Sequence, residues 1–210
     1  MGRLSLVTLV MLASCNDPVK PDTGGRSEQV AASTSAAPSV TATASHAAVA
    51  APRGPLCDTA PRTLPKNADF VDAAGEVSAR AMPAWDGRRA RWVSFFASWC
   101  GPCKEEMPRI RSFSSKLEQD GIPIDVTYVS IDDDLRQLKA FFDAQPAGGL
   151  KSSYWLKDGA VRTSWMASLK MKSDPPLPEH AIFDGKGKLR CFVAGAVEDA
   201  DYGQIVAALR

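Results

Sequence analysis

The fold of this chain is decided by the stretch Arg91-Trp-Val-Ser-Phe-Phe-Ala-Ser-Trp-Cys-Gly-Pro-Cys103. Its first seven residues, 91–97, form a nearly continuous apolar run, which is typical of a strand covered on both faces. After the cysteines, four apolar residues recur at the spacing of one helix face: Met107, Ile110, Phe113 and Leu117. We therefore expect a buried strand that leads directly into a helix at 101–120, with two cysteines at the junction.

The sequence after this helix alternates strand and helix signals. A second buried strand is expected at 124–131, and the acidic run 132–134 should cap the helix after it. A short strand at 154–156 and a short helix follow. Two strands at 180–183 and 189–194 flank a turn sequence and predict a hairpin, which precedes a last helix. We expect an α/β fold with a central mixed β-sheet, helices on both faces, and a C-terminal β-hairpin plus helix.

The composition is that of a soluble protein and excludes several classes. The chain has 210 residues, of which 45% are apolar, and 25 basic residues balance 24 acidic ones. Nucleic acid is not an expected partner, since no net positive charge would attract it. No apolar run reaches the ~18 residues that a membrane-spanning helix needs, so a polytopic membrane protein is excluded.

The N-terminal quarter differs from the rest of the chain. Residues 1–14 have the basic start, short apolar stretch and small final residues of an export signal. Leu12-Ala13-Ser14-Cys15 resembles the lipobox of bacterial lipoproteins, in which Cys15 becomes the lipidated first residue; the alternative is a plain secretory signal. Residues 15–56, rich in Ala, Ser, Thr and Pro, are expected to form a disordered tether. Residues 57–210 are then one globular domain.

Cys100 and Cys103 carry the clearest chemical signal. A C-x-x-C pair at a helix start places one thiol where the helix dipole and the free first-turn amides stabilise a thiolate and lower its pKa. The spacing lets the second sulfur reach the first, so that Cys100 attacks a substrate disulfide and Cys103 resolves the mixed disulfide. A zinc site would need a second close Cys or His pair, which the sequence lacks, so no metal or other cofactor is expected.

The motif Trp99-Cys-Gly-Pro-Cys103 resembles the active site of thioredoxin-like proteins. The longer stretch 96–108 is similar to the TlpA/ResA branch of bacterial extracytoplasmic thiol–disulfide oxidoreductases, and the resemblance covers about residues 68 to 208. It implies a thioredoxin-like fold, a redox-active Cys100–Cys103 disulfide, and Trp99, Gly101 and Pro102 as members of the active-site motif.

Two further positions match this branch. Pro178 resembles the family's cis-proline, which packs against the active-site disulfide and pairs with the substrate backbone; the alternative is an ordinary trans proline of the Pro-rich loop. Glu106 resembles the acidic residue, three positions after the second cysteine, that tunes a thiol pKa or relays protons. The alternative for Glu106 is a solvated helix residue.

Three positions depart from the pattern. Ser94 stands where thioredoxin has a buried Asp, so proton handling does not rest there. Glu179 follows the expected cis-proline, where Thr is frequent, and a carboxylate beside the substrate groove would raise a thiol pKa or repel acidic partners. His180 has two interpretations: a strand residue that fills space, which we favour, or a group that supports the thiolate.

Cys57 and Cys191 complete the count of five cysteines. In an oxidising compartment they are candidates for a structural disulfide that ties the start of the domain to its hairpin. The alternative is a buried thiol at Cys191 and an unpaired Cys57.

These features predict a membrane-tethered, periplasm-facing thiol–disulfide oxidoreductase that reduces disulfides of protein clients. Its Gly-Pro pair resembles that of reductants, and a membrane thiol reductase would supply its electrons. The resemblance makes cytochrome c maturation one pathway, and a monomer is the default. The alternatives are a disulfide oxidase or isomerase, a thiol peroxidase, and a Cu(I)-binding periplasmic chaperone that uses the same two cysteines.

Overall fold

A computed structural model describes residues 54–210 of the chain. Seven strands form one mixed sheet in the order β2-β1-β5-β4-β3-β6-β7. In chain order they are β1 (Asn67–Val71), β2 (Val77–Ala81), β3 (Ala90–Phe96), β4 (Ile124–Ser130), β5 (Ser153–Trp155), β6 (Glu179–Phe183) and β7 (Leu189–Ala194).

Strand β3 lies inside the sheet, between β4 and β6, and all seven of its residues are buried. It pairs in parallel with β4 on one side and antiparallel with β6 on the other. The β6–β7 pair is the antiparallel hairpin expected from the sequence. Because β3 has neighbours on both edges and cover on both faces, its end is a rigid support for the residues that follow it.

Four α-helices and one 3₁₀ turn accompany the sheet: α1 (Gly101–Gln119), α2 (Leu135–Ala144), α3 (Ala160–Ser168), a 3₁₀ turn (Asp199–Asp201) and α4 (Tyr202–Leu209). Alternate residues of β3 point to opposite faces of the sheet. Phe96 packs on Phe141 of α2, whereas Phe95 packs on Trp165 of α3. The prediction of a mixed α/β sheet with helices on both faces is therefore confirmed.

Helices α1 and α4 lie on the same face of the sheet as α2. Trp92 of β3 contacts Phe113 of α1, with ring centroids 6.4 Å apart, and Phe113 contacts Tyr202 of α4 at 5.1 Å. Helix α1 ends one residue earlier than predicted, at Gln119. The active-site end of α1 is thus packed against the central strands rather than projecting into solvent.

The β1–β2 hairpin was not predicted from the sequence. All five residues of β2 are exposed, so this edge strand has no buried face and no apolar alternation to reveal it. The prediction for the acidic run also needs correction. Asp134 is the N-cap of α2 and accepts from the Arg136 N–H, but Asp132 is fully buried and has different partners.

The predicted export signal, the lipidation site Cys15 and most of the tether lie outside the described residues, and the domain boundaries stay predictions. Within 54–210, no helix combines the length and apolar character that crossing a bilayer requires.

Candidate active site

Cys100 and Cys103 lie where β3 leads into α1, and they form a disulfide. Cys100 is the N-cap of α1: its backbone is extended, and its Sγ accepts from the Cys103 N–H at 3.2 Å. Its own N–H donates to the carbonyl of Ala97 at 3.0 Å, which closes the turn. Pro102 occupies the first turn of the helix, where a missing N–H leaves no hydrogen bond unmade.

The surroundings of this disulfide favour a negative charge on the Cys100 sulfur once the bond is reduced. The first turn of the 19-residue helix contains no acidic side chain that would oppose a negative charge at its N-terminus. Cys100 and Cys103 are largely covered, but the neighbouring Trp99 is 60% exposed. An exposed indole beside a redox-active sulfur offers an apolar contact surface to a second molecule.

Pro178 lies at the same end of the sheet as Cys100. Strand β6 runs antiparallel to β3 and pairs Glu179 with Phe95, so the residue before β6 adjoins the end of β3. The Leu177–Pro178 bond is cis, and the Pro178 carbonyl accepts from the Gly195 N–H at 2.9 Å. The structure therefore brings the predicted proline and the cysteine pair to one edge.

Glu106 lies one helical turn after Cys103 and is only 1% exposed. It is therefore not the solvated residue considered as an alternative from the sequence. Its Oε2 accepts from the Val197 N–H at 3.1 Å and lies 3.3 Å from Nε2 of His180. His180 is fully buried and contacts polar groups, so it does more than fill space.

Asp132 was not singled out as a site residue, yet it holds the loop before the cysteine pair. One carboxylate oxygen accepts from the N–H of Ser98 at 3.0 Å and from its hydroxyl at 2.5 Å. The other accepts from the Ser98 N–H at 2.9 Å and from the Ser130 hydroxyl at 2.7 Å. The sequence signal was an Asp directly after a buried strand, where the neighbouring strand also ends.

Glu179 points away from Glu106, because adjacent residues of β6 face opposite sides of the sheet. Burial raises the pKa of the Glu179 carboxyl, an effect that the positive charges of Arg62 and Lys172 partly oppose. One of its oxygens, Oε2, is buried without a hydrogen-bond partner. Glu179 is thus a carboxyl that favours its neutral form more than an exposed Glu does.

Cys57 and Cys191 form the second disulfide of the structure. Cys191 is fully buried in β7, opposite Ile182 of β6. Next to it, Asp58 and Phe192 exchange two backbone hydrogen bonds of 2.8 and 2.9 Å. Since Ile182 is four residues along β6 from Pro178, this disulfide lies roughly 13 Å along the strand from the active-site edge.

Comparison with known proteins agrees with this geometry. Residues 89–189 match the family model described as thioredoxin-like. No curated protein matches the chain.

Two solved structures share the fold. One, named for the thiol:disulfide interchange protein DsbE of Chlorobium tepidum, is 20% identical, with a TM-score of 0.53 over 73% of this chain and 100% of that one. The other, the thioredoxin domain of a thiol-disulfide oxidoreductase from Bacteroides vulgatus, is 17% identical, with a TM-score of 0.51 over 73% and 100%. The predicted thioredoxin-like fold is confirmed.

Proposed function

We propose that this chain, whose fold is thioredoxin-like and whose residues 89–189 match a thioredoxin-like family model, is a thiol–disulfide oxidoreductase. It works outside the cytoplasm, tethered to a membrane through lipid on Cys15, and reduces disulfides of protein clients. The observation that carries the redox chemistry is the Cys100–Cys103 disulfide with Cys100 as the N-cap of α1. The lipobox resemblance of residues 12–15 supports the tether, and the Gly-Pro pair supports the direction of electron flow.

The reaction starts from the dithiol form. The Cys100 thiolate, stabilised by the N-terminal amides of α1, attacks one sulfur of a client disulfide, and the other client sulfur leaves as a thiolate. Cys103 then loses its proton and attacks the Cys100 sulfur of the mixed disulfide. The Cys100–Cys103 bond forms, the second client sulfur leaves, and the client has gained two electrons.

Three neighbouring residues have roles in this reaction. Trp99, exposed beside Cys100, contacts the apolar surface of the client. Pro178, at the same edge, packs against the active-site disulfide where the client chain binds, as the family resemblance implies. Glu106, one turn after Cys103, takes the proton of the Cys103 thiol, since Ser94 offers no carboxylate for this step.

The reduced enzyme must be regenerated, because the space outside the cytoplasm has no glutathione pool that reduces disulfides. A membrane thiol reductase fits this need: it passes two electrons to the Cys100–Cys103 disulfide. Cytochrome c maturation is a pathway that consumes such electrons, since haem attaches to reduced cysteines.

The test is to trap clients in cells that make the full chain. Cys103→Ser removes the resolving thiol and is expected to accumulate mixed disulfides at Cys100, which mass spectrometry identifies after non-reducing purification. Cys100→Ser is the matched control and should trap nothing. If Cys103→Ser traps no protein, exchange with protein clients is wrong.

The same cells decide the direction and the compartment. Alkylation of wild-type protein should find Cys100 and Cys103 mostly as thiols, and the trapped clients should be extracytoplasmic. A fully oxidised pair would contradict the reductant and favour the oxidase. Copper that stays bound to the purified dithiol form would instead favour the Cu(I) chaperone.

A further inference from the structure

A chain of three buried polar side chains lies beneath the active-site helix. Trp92 of β3 donates its indole N–H to Nδ1 of His180 at 3.2 Å. The opposite nitrogen of that ring, Nε2, is the atom 3.3 Å from Oε2 of Glu106. Each of the three residues is at most 1% exposed, and they come from three different elements, β3, β6 and α1.

The indole fixes where His180 carries its proton. Trp Nε1–H can only donate, so Nδ1 of His180 must accept, and the proton of the neutral ring is on Nε2. A second proton would have to bind Nδ1, and would break the hydrogen bond from Trp92. Trp92 therefore selects the tautomer of His180 whose N–H lies on the side of Glu106.

Polar atoms without partners are concentrated at this place. Among residues 54–210, six buried side-chain polar atoms make no hydrogen bond, and three of them belong to Glu106 (Oε1), His180 (Nε2) and Tyr128 (Oη). The His180–Glu106 contact is within 3.3 Å but is not aligned as a hydrogen bond. Buried polar groups without hydrogen bonds lower the stability of the fold. Three of them around the Glu106 carboxyl therefore indicate a functional role rather than a packing role.

The remaining titratable groups around this cluster are few. Tyr128, which pairs with Ser94 as His180 does on the other side, has a pKa raised to about 12 by burial and by the charge of Glu106, so it stays neutral. Arg109 pairs with Asp199 at 3.0 Å and with Glu198 at 3.5 Å. The positive charge of Arg111 lowers the pKa of Tyr128 and so partly opposes the effect of burial. His180 is thus the side-chain nitrogen that contacts the Glu106 carboxyl.

We infer that His180, with its proton placed by Trp92, is the positioning residue that holds the Glu106 carboxylate in place to accept the proton of Cys103. This inference rests on the proposed function. The Cys103 S–H bond breaks, its proton passes to the Glu106 carboxylate, and the resulting thiolate attacks the Cys100 sulfur of the mixed disulfide. The client thiolate that leaves takes its proton from solvent, and Glu106 returns its proton to solvent before the next cycle.

The two supporting residues should shift the pH dependence of resolution in opposite directions. His180→Leu removes the ring N–H beside the Glu106 carboxyl, and we expect the rising limb of the resolution rate to move to higher pH. Trp92→Phe removes the N–H that Nδ1 of His180 accepts, so that both ring nitrogens are free to carry a proton, and we expect the rising limb to move to lower pH. If His180 and Trp92 only packed the core, the two substitutions would shift the rising limb in the same direction or leave it unchanged.

The experiment uses the reduced full chain and a small aromatic disulfide whose two thiolates are released in successive steps. The second release reports resolution by Cys103, and its rate is measured against pH. We expect shifts of about one pH unit, which is roughly tenfold in rate on the rising limb. Glu106→Gln should remove that limb. Shifts in one direction, or none, overturn the role of His180.

Nitrogen-15 NMR of wild-type protein provides a readout that does not depend on folding of the variants. His180 should show the tautomer with its proton on Nε2, and the other tautomer or an imidazolium would contradict the inference. If the wild-type dithiol releases no thiolate from the aromatic disulfide, the proposed function itself fails. If it releases both thiolates and the variants leave the pH profile unchanged, only the present inference fails.

Discussion

Asp132 accepts hydrogen bonds from both the backbone N–H and the hydroxyl of Ser98, two residues before Cys100, although the two residues are 34 positions apart in sequence. A fully buried carboxylate is stable only when donors surround it, and here Ser98 and Ser130 supply them. The turn that contains the cysteine pair is therefore hydrogen-bonded to the end of β4 and covalently continuous with β3.

Asp132→Asn tests how much these hydrogen bonds stabilise the fold. The amide replaces one acceptor oxygen by a donor that faces other donors, so we expect the free energy of unfolding to fall by about 1.5–3 kcal/mol. Urea denaturation measures it. Asp143→Asn is the control, because Asp143 pairs with Lys139 and both side chains are exposed, where a pair contributes about 0–1 kcal/mol. Equal losses in the two variants would show that Asp132 has no special role.

Glu179→Gln should stabilise the protein at neutral pH. Burial raises the pKa of Glu179 in the folded state above its ordinary value of 4.5, so the folded state binds its proton more tightly than the unfolded chain does. Stability is consequently lost as pH rises above that value, and Gln removes the loss. Tm of the variant should exceed wild type at neutral pH, and the gap should close well below pH 4.5. Glu105→Gln, an exposed change on α1, should show no such trend. A gap independent of pH would refute the assignment.

The Cys57–Cys191 disulfide should stabilise the fold without taking part in exchange. It links residues 134 apart, for which the chain-entropy model gives about 5 kcal/mol, and native disulfides typically contribute about 2–5 kcal/mol. The double variant Cys57→Ser/Cys191→Ala should lose that much in urea denaturation and still reduce a disulfide substrate. A free thiol at either position in non-reducing peptide mapping of wild type would contradict the pairing.

Two glycines should respond oppositely to alanine. Gly187 has a φ of +83°, and an added Cβ would lie 2.5 Å from the Trp85 indole nitrogen, so Gly187→Ala should cost about 1–3 kcal/mol. Gly101 has no neighbour within 4 Å of such a Cβ, and its backbone is helical. Gly101→Ala should be neutral or stabilising by up to about 1 kcal/mol. Thermal unfolding of both variants checks the pair, and a larger loss at position 101 would be the contrary result.

Local signals predicted much of this fold. The apolar run of β3, the stripe of α1 and the turn between β6 and β7 each act within a few residues, so periodicity and turn chemistry were sufficient to find them. Strand β2 was not predicted because every one of its residues is exposed, and only its pairing with β1 makes it a strand.

The site was predictable only in part, for a related reason. Cys100, Cys103, Pro178 and Glu106 stand in a motif or at a family position, and the sequence alone proposed them. Trp92 and His180 are 88 residues apart, and nothing in the spacing of either predicts their hydrogen bond. Contacts of this kind are made by strand register, which a single sequence does not reveal.

The reactivity of Cys100 as a function of pH tests the proposed thiol chemistry directly. The reduced protein is alkylated with iodoacetamide over a series of pH values, modification of each cysteine is followed by mass spectrometry, and reduction of insulin is assayed alongside. We expect Cys100 to react at pH values where an ordinary thiol, with a pKa of about 8.5, is still protonated, and insulin to be reduced. A Cys100 that reacts no faster than an ordinary thiol, together with insulin that stays oxidised, would contradict this chemistry.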